Sequence, residues 1–99
     1  MLAYLPYRLN SGRRNLSIRY RPHALIRMKE RNIEERHVER VIASPTETVE
    51  VRFSRQASFG NVNGRRLLVI YQASGSMTEV VTTFWINEDG LRKYGFTRI

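Results

Sequence analysis

His23, Arg27 and Arg31 stand at i, i+4 and i+8 in the stretch Tyr20-Arg21-Pro22-His23-Ala24-Leu25-Ile26-Arg27-Met28-Lys29-Glu30-Arg31-Asn32-Ile33. In a helix that spacing stacks the three side chains on one face, and Ala24, Leu25 and Met28 fall on an adjoining stripe that can pack. Pro22 suits the first helical position, where no N–H is needed, so His23 sits in the first turn. The positive end of the helix and the neighbouring guanidiniums favour a neutral imidazole, which can accept a proton. Forked guanidiniums match phosphate oxygens better than an ammonium does. Proton transfer beside a held phosphate is the chemistry this set can support. The same pattern also describes a solvated basic face whose histidine caps or packs.

The charge balance points the same way. Lys plus Arg number 17 against 9 Asp plus Glu, for a net charge of +8. Lys29 and Lys93 are the only lysines, so the excess is arginine, and nearly all of it lies before residue 34. An arginine-rich surface suits a polyanion, RNA or the ribosome first, with an acidic protein as the other fit. Arg19, Arg21, Arg65 and Arg66 are the candidate RNA contacts beside the helix. The chain has no cysteine, which excludes disulfides, a thiolate nucleophile and cysteine-based zinc sites. With His23 and His37 as the only histidines, neither a metal site nor a cofactor is expected. No stretch has the length of a membrane span or the apolar core of a leader, so a cytoplasmic location is expected and a membrane partner is not.

Several elements must position these residues. Residues 1–15 read as a basic arm broken by Pro6 and Gly12, and residues 16–99 as a single α+β domain. Leu16 to Arg21 alternates as a strand leading into the helix. A second helix follows, with Glu34 as N-cap, Ile33 and Val38 as an apolar staple, and Val38, Val41 and Ile42 as the buried stripe. His37, among charges, is expected at the surface. Thr48 to Phe53 reads as a strand burying Val49, Val51 and Phe53, and residues 54–64 as a long hairpin loop. Arg65 to Tyr71 is apolar on both faces, the mark of a central strand, and Glu79 to Ile86 is another strand. The tail from Leu91 is expected to be an edge strand. The resulting fold class is α+β, with two N-terminal helices packed on an antiparallel sheet of about four strands.

The combination of His23-Ala24, Arg27-Met28, Arg31, Ile33, Val38, Val41-Ile42 and Pro45 with Gly64 to Tyr71 and Val81-Thr82-Thr83 resembles the prokaryotic family called domain of unknown function 4258. That family has been grouped with small toxins of the RelE and barnase type, metal-independent ribonucleases with helices on an antiparallel sheet. The resemblance implies that His23, Arg27 and Arg31 are the family's polar helix positions, Arg66 its basic residue at the start of a strand, and Thr82 or Thr83 its late threonine. In such an enzyme a ribose 2′-hydroxyl attacks the adjacent phosphorus. His23 would transfer the proton, Arg27, Arg31 and Arg66 would clamp the phosphorane, and Thr83 or Tyr71 would hydrogen-bond the phosphate or sugar. These residues should then converge on one concave surface. Glu30 projects beside His23 as a second acid–base group only if the helix turns that way, and three other readings stand beside catalysis. They are a non-catalytic RNA- or ribosome-binding module, a basic partner of an acidic antitoxin-like protein, and a homodimer joined through a strand edge. Phe59, Trp85, Tyr94 and Phe96 are then either base-stacking or core residues.

Overall fold

The computed structural model describes residues 17–99. The expected basic arm lies outside these residues. A single five-stranded sheet runs in the order β1-β5-β4-β3-β2, with β1 at Ser17–Tyr20, β2 at Glu47–Val51, β3 at Arg55–Val62, β4 at Arg65–Ser74 and β5 at Met77–Ile86. Three helices complete it, α1 at Pro22–Glu30, α2 at Glu35–Ala43 and α3 at Glu88–Tyr94. The sheet therefore has five strands rather than four, and it is mixed: β1 runs parallel to β5 and the other neighbours are antiparallel. The α1–α2 pair carries the chain from one sheet edge to the other, which leaves β1 beside the last strand and in its direction. No helix among the described residues is long and apolar enough to cross a membrane.

Local sequence accounts for the first two helices. Pro22 opens α1, which buries Ala24 and Met28, and Asn32 at φ 56° turns the chain toward α2. Glu34 is the N-cap of α2, and Ile33 and Val38 meet in the same buried cluster, as a hydrophobic staple requires. His37 is a correction: it is only 7% exposed, because its ring folds back so that Nδ1 accepts the Glu34 N–H at 3.3 Å. Tyr20 ties α2 to β1 through its hydroxyl, 3.4 Å from Glu39 Oε2. Burial, reinforced by Glu39 and Glu35, pushes that phenol well above its ordinary range.

The sheet is covered on both sides. Leu67, Val69 and Tyr71 of β4 join Ala24, Met28, Val38 and Val41 beneath α1 and α2, whereas Leu68 packs with Ala57, Phe59, Leu91 and Phe96 on the opposite face. This double cover explains why residues 54–64 are mostly strand and not the expected loop. Ala57, Ser58, Phe59 and Gly60 are all buried, so β3 shows no polar alternation. Gly60 belongs to packing: a Cβ there would come within 3.4 Å of the Val41 side chain. The actual turn is Asn63-Gly64, with φ values of 53° and 81° as a tight two-residue hairpin needs.

The tail is the second correction, a helix where an edge strand was expected. Asn87 caps it by accepting the Gly90 N–H at 2.8 Å, Glu88 and Asp89 occupy its first turn, and Gly95 ends it in the left-handed region at φ 99°. The Phe96 N–H then reaches back to the Leu91 carbonyl, and the Phe96 ring meets Phe59 edge-on at 4.9 Å. Glu47 clips the end of the chain to β2, accepting the N–H groups of Thr97 at 2.9 Å and Arg98 at 2.7 Å. These backbone donors, Arg98 foremost, hold its carboxyl below the usual carboxylate range.

Leu68→Ala is expected to destabilise the fold by about 2–5 kcal/mol, read as a lower urea midpoint. The Glu47 clip makes a pH-dependent expectation. A carboxyl whose folded value is depressed contributes stability above its unfolded value and loses it as pH falls through the folded one. Hydrogen-exchange protection at Thr97 and Arg98 should fall below the ordinary carboxylate range, and Glu47→Gln should abolish that dependence.

Candidate functional site

The sequence-predicted residues do not meet at one point. His23 is exposed on α1, and its Nε2 accepts the Nε–H of Arg27 at 3.3 Å. Arg27 also pairs with Glu30 at 3.1 Å. Arg31 turns toward the sheet. Among the described residues β1 pairs with residues 77–80 of β5 and on that side no strand lies beside its far half, where Arg31 Nη1 donates to the Thr83 carbonyl at 2.8 Å. The Arg31 carbonyl in turn accepts the Trp85 indole N–H at 2.8 Å.

The remaining expected contacts are divided between faces. Thr83 is fully buried and donates its hydroxyl to the Leu68 carbonyl at 2.7 Å, so it does not face solvent. Tyr71 is also buried, its hydroxyl 2.9 Å from Ser58 Oγ, which lies 2.6 Å from Thr48 Oγ1. Arg65 stacks over the Trp85 indole at 4.1 Å. Its neighbour Arg66, in register with Ile86, projects to the α3 side and pairs with Glu88 at 3.5 Å. Thr82, opposite Ile70, is on that side too. The sheet therefore stands between the His23–Arg27 pair and Arg66. On β1, Arg19 is exposed and Arg21 pairs with Glu79 at 3.3 Å.

A different cluster gathers on the α3 side. A groove of about 620 Å³ is lined by Glu50, Val51, Arg52, Phe53, Arg55, Ile70, Lys93 and Tyr94. Ile70, Val51 and Tyr94 give it an apolar lining, and Tyr94 leans on Phe84 with ring centroids 6.4 Å apart. Arg52 and Arg55 flank the turn between β2 and β3, and Lys93 comes from the last turn of α3. None of these three cations has a carboxylate within ion-pair distance among the described residues; Arg19, Lys29, Arg31, Arg40, Arg65 and Arg98 are alike in this, whereas Arg21, Arg27, Arg36, Arg66 and Arg92 are paired. The Nε–H of Arg55 is buried and has no hydrogen-bond partner. The Arg55 side chain as a whole is half-buried and forms part of the groove wall.

Phe53 is a correction. It was expected to follow Val49 and Val51 into the core, yet it is 74% exposed at the lip of the groove. The strand ends at Val51, and the left-handed backbone at Phe53 (φ 63°) and Ser54 (φ 57°) swings the ring outward, with the Arg55 guanidinium 5.3 Å from its centroid. The sequence holds a sign of this site in Arg52-Phe53-Ser54-Arg55, two cations around an aromatic. Lys93 and Tyr94 join it only through the fold.

The sequence pattern of the family described as Domain of unknown function (DUF4258) matches residues 20–85. The chain belongs to that family. The DUF4258 stretch spans Arg52, Phe53 and Arg55, while α3, with Lys93 and Tyr94, lies beyond it. No curated protein and no solved structure shows significant similarity to the chain.

Arg31→Ala is expected to destabilise the fold by about 1–3 kcal/mol, since it strips the buried edge of β5 of a charged donor. His23→Ala should leave the melting temperature almost unchanged. Thermal unfolding of the two variants separates an anchoring arginine from an exposed histidine.

Proposed function

We propose that the protein is a non-catalytic RNA-binding module whose phosphate contacts are made by Arg52, Arg55 and Lys93 in the groove on the α3 side. The observation that carries this reading is the gathering of three cations that have no carboxylate partner among the described residues, around a surface that also offers aromatic rings. Cations alone would suit any polyanion; the aromatic rings beside them favour nucleic acid, because every base has a face that stacks. The grouping of DUF4258 with RelE- and barnase-type toxins, implied by the resemblance, supports RNA as the polymer. A ribosomal RNA surface has the same chemistry.

One observation favours a second reading, a toxin-like, metal-independent ribonuclease. His23 places an imidazole nitrogen beside a guanidinium, 3.3 Å from Arg27 Nε, although that nitrogen already accepts the Arg27 N–H. Cleavage also needs a second proton-transfer group and a clamp on the same phosphate. Around His23 the only carboxylate paired with Arg27 is that of Glu30, and Arg31 is bound to the Thr83 carbonyl. Binding asks for less than this, and the groove supplies it.

Fluorescence anisotropy with a labelled single-stranded RNA should give an affinity that falls steeply with salt. Arg52→Ala or Lys93→Ala should each weaken binding and flatten the slope of log K against log salt by about 0.7. An affinity indifferent to salt, or to both variants, overturns the reading. In the same mixtures, with EDTA present, the RNA should stay intact. Cleavage that drops roughly 10²-fold or more in His23→Ala would instead establish the ribonuclease reading.

A further inference from the structure

We infer that Phe53 is a stacking platform for an unpaired nucleobase, which makes the groove selective for single-stranded RNA over duplex. This inference rests on the groove being an RNA site and specifies what it holds there. Three properties of Phe53 lead to it. It is the most exposed large apolar side chain among the described residues, at 74% against 54% for Ile26 and 43% for Leu25. It has a left-handed backbone, φ 63° and ψ 32°, and Ser54 follows at φ 57°. Its ring forms the lip of a groove whose cations have no carboxylate partner among the described residues.

Each of the first two properties is unfavourable to the fold. A bulky residue is rare in the left-handed region, and the chain meets the same demand elsewhere with Gly64, Gly75, Gly95, Asn32 and Asn63. Glycine at position 53 would remove both the strain and the exposed ring. The Arg55 guanidinium lies over one face of the ring, 5.3 Å from its centroid, and the ring as a whole stays 74% exposed. A base laid on the ring brings the phosphate of its own nucleotide to the cluster of Arg52, Arg55 and Lys93, so stacking and charge act on one nucleotide.

The groove's size fits this ligand: about 620 Å³ lies within the roughly 300–1,000 Å³ typical of small-ligand sites. Paired bases present their edges in a helical groove and keep their faces stacked, whereas unpaired bases are free to lie on an aromatic ring. A duplex offers the same phosphates without an available base face.

The test uses the full chain with three probes: a single-stranded RNA, the same strand annealed to its complement, and the same strand with abasic riboses. Wild type should bind the single strand more tightly than the duplex or the abasic strand. Phe53→Gly should melt no lower than wild type yet bind the single strand roughly 5- to 100-fold more weakly, with the abasic affinity unchanged. Phe53→Trp should retain single-strand affinity. If Phe53→Gly leaves single-strand binding intact, or weakens the single and abasic strands equally, the stacking platform is overturned. The RNA reading itself survives that outcome if Arg52→Ala and Lys93→Ala still weaken binding. If wild type binds none of the probes but binds polyglutamate, both the stacking platform and the RNA reading fall, and the groove is a site for acidic polypeptide.

Discussion

Cover on both faces of β4 is the constraint on which the rest of the structure depends. Leu67, Val69 and Tyr71 on one side and Leu68 and Ile70 on the other require a layer above and a layer below. Each fully buried aliphatic or aromatic side chain contributes roughly 1.5–3 kcal/mol relative to exposure, so neither face can be left to solvent. The α1–α2 pair is long enough to roof its side. The seven residues of α3 span only about 10 Å, whereas the ten residues of β4 extend about 33 Å. One helix of that length covers the Leu68 end, with Phe96 beside it, and leaves Ile70 and Val51 partly open. The floor of the groove is the part of the second face that α3 does not reach.

The same economy of chain length governs the sheet edge. With only four residues, β1 pairs with part of β5 and leaves the carbonyl of Thr83 for another donor. Arg31 supplies it, and Trp85 returns a hydrogen bond to the Arg31 carbonyl, so the C-terminal end of α1 is locked to the sheet by two reciprocal bonds. Tyr20 and the His37 cap do comparable work at the start of α2. An arginine in a basic helix can thus be an architectural residue. Its helical spacing with His23 and Arg27 records a shared face, and the contacts of each side chain decide what it does.

Elements governed by local rules were readable from the chain. The first strand, both early helices, the Glu34 cap with its Ile33–Val38 staple, and the two-faced strand through residues 67–71 all arise from nearest-neighbour patterns. The failures have non-local causes. In β3 the alternation disappears because α2 presses on Gly60 while Phe59 packs against Phe96, so a glycine and a serine in a sheet interior read as a loop. In α3 the apolar stripe is too short to register, and the helix depends on Asn87 and Gly95 at its ends. The groove was hidden for a related reason. Its residue types were expected, arginines with an aromatic, but Lys93 comes from α3 and Arg52 and Phe53 from the far edge of the sheet. Phe53 itself continues the polar–apolar alternation of β2, and only the backbone sign change after Val51 takes it out of the core.

Binding and catalysis place different demands on such a surface. A ribonuclease needs donors and a proton acceptor held to within a fraction of an ångström of one phosphate, which buried and mutually packed side chains provide. His23 and Arg27 are bonded to each other on an exposed helix face, while Arg31 and Thr83 are committed to sheet carbonyls. On the groove side the situation is reversed. Arg55 keeps a buried donor without an acceptor, and Phe53 keeps a bulky side chain on a left-handed backbone. Each is a local cost of order 1–3 kcal/mol, offset in part by the contact of the Arg55 guanidinium with the Phe53 ring. Under the proposed RNA reading, a base stacked on Phe53 would give that ring the burial that the fold itself leaves it without.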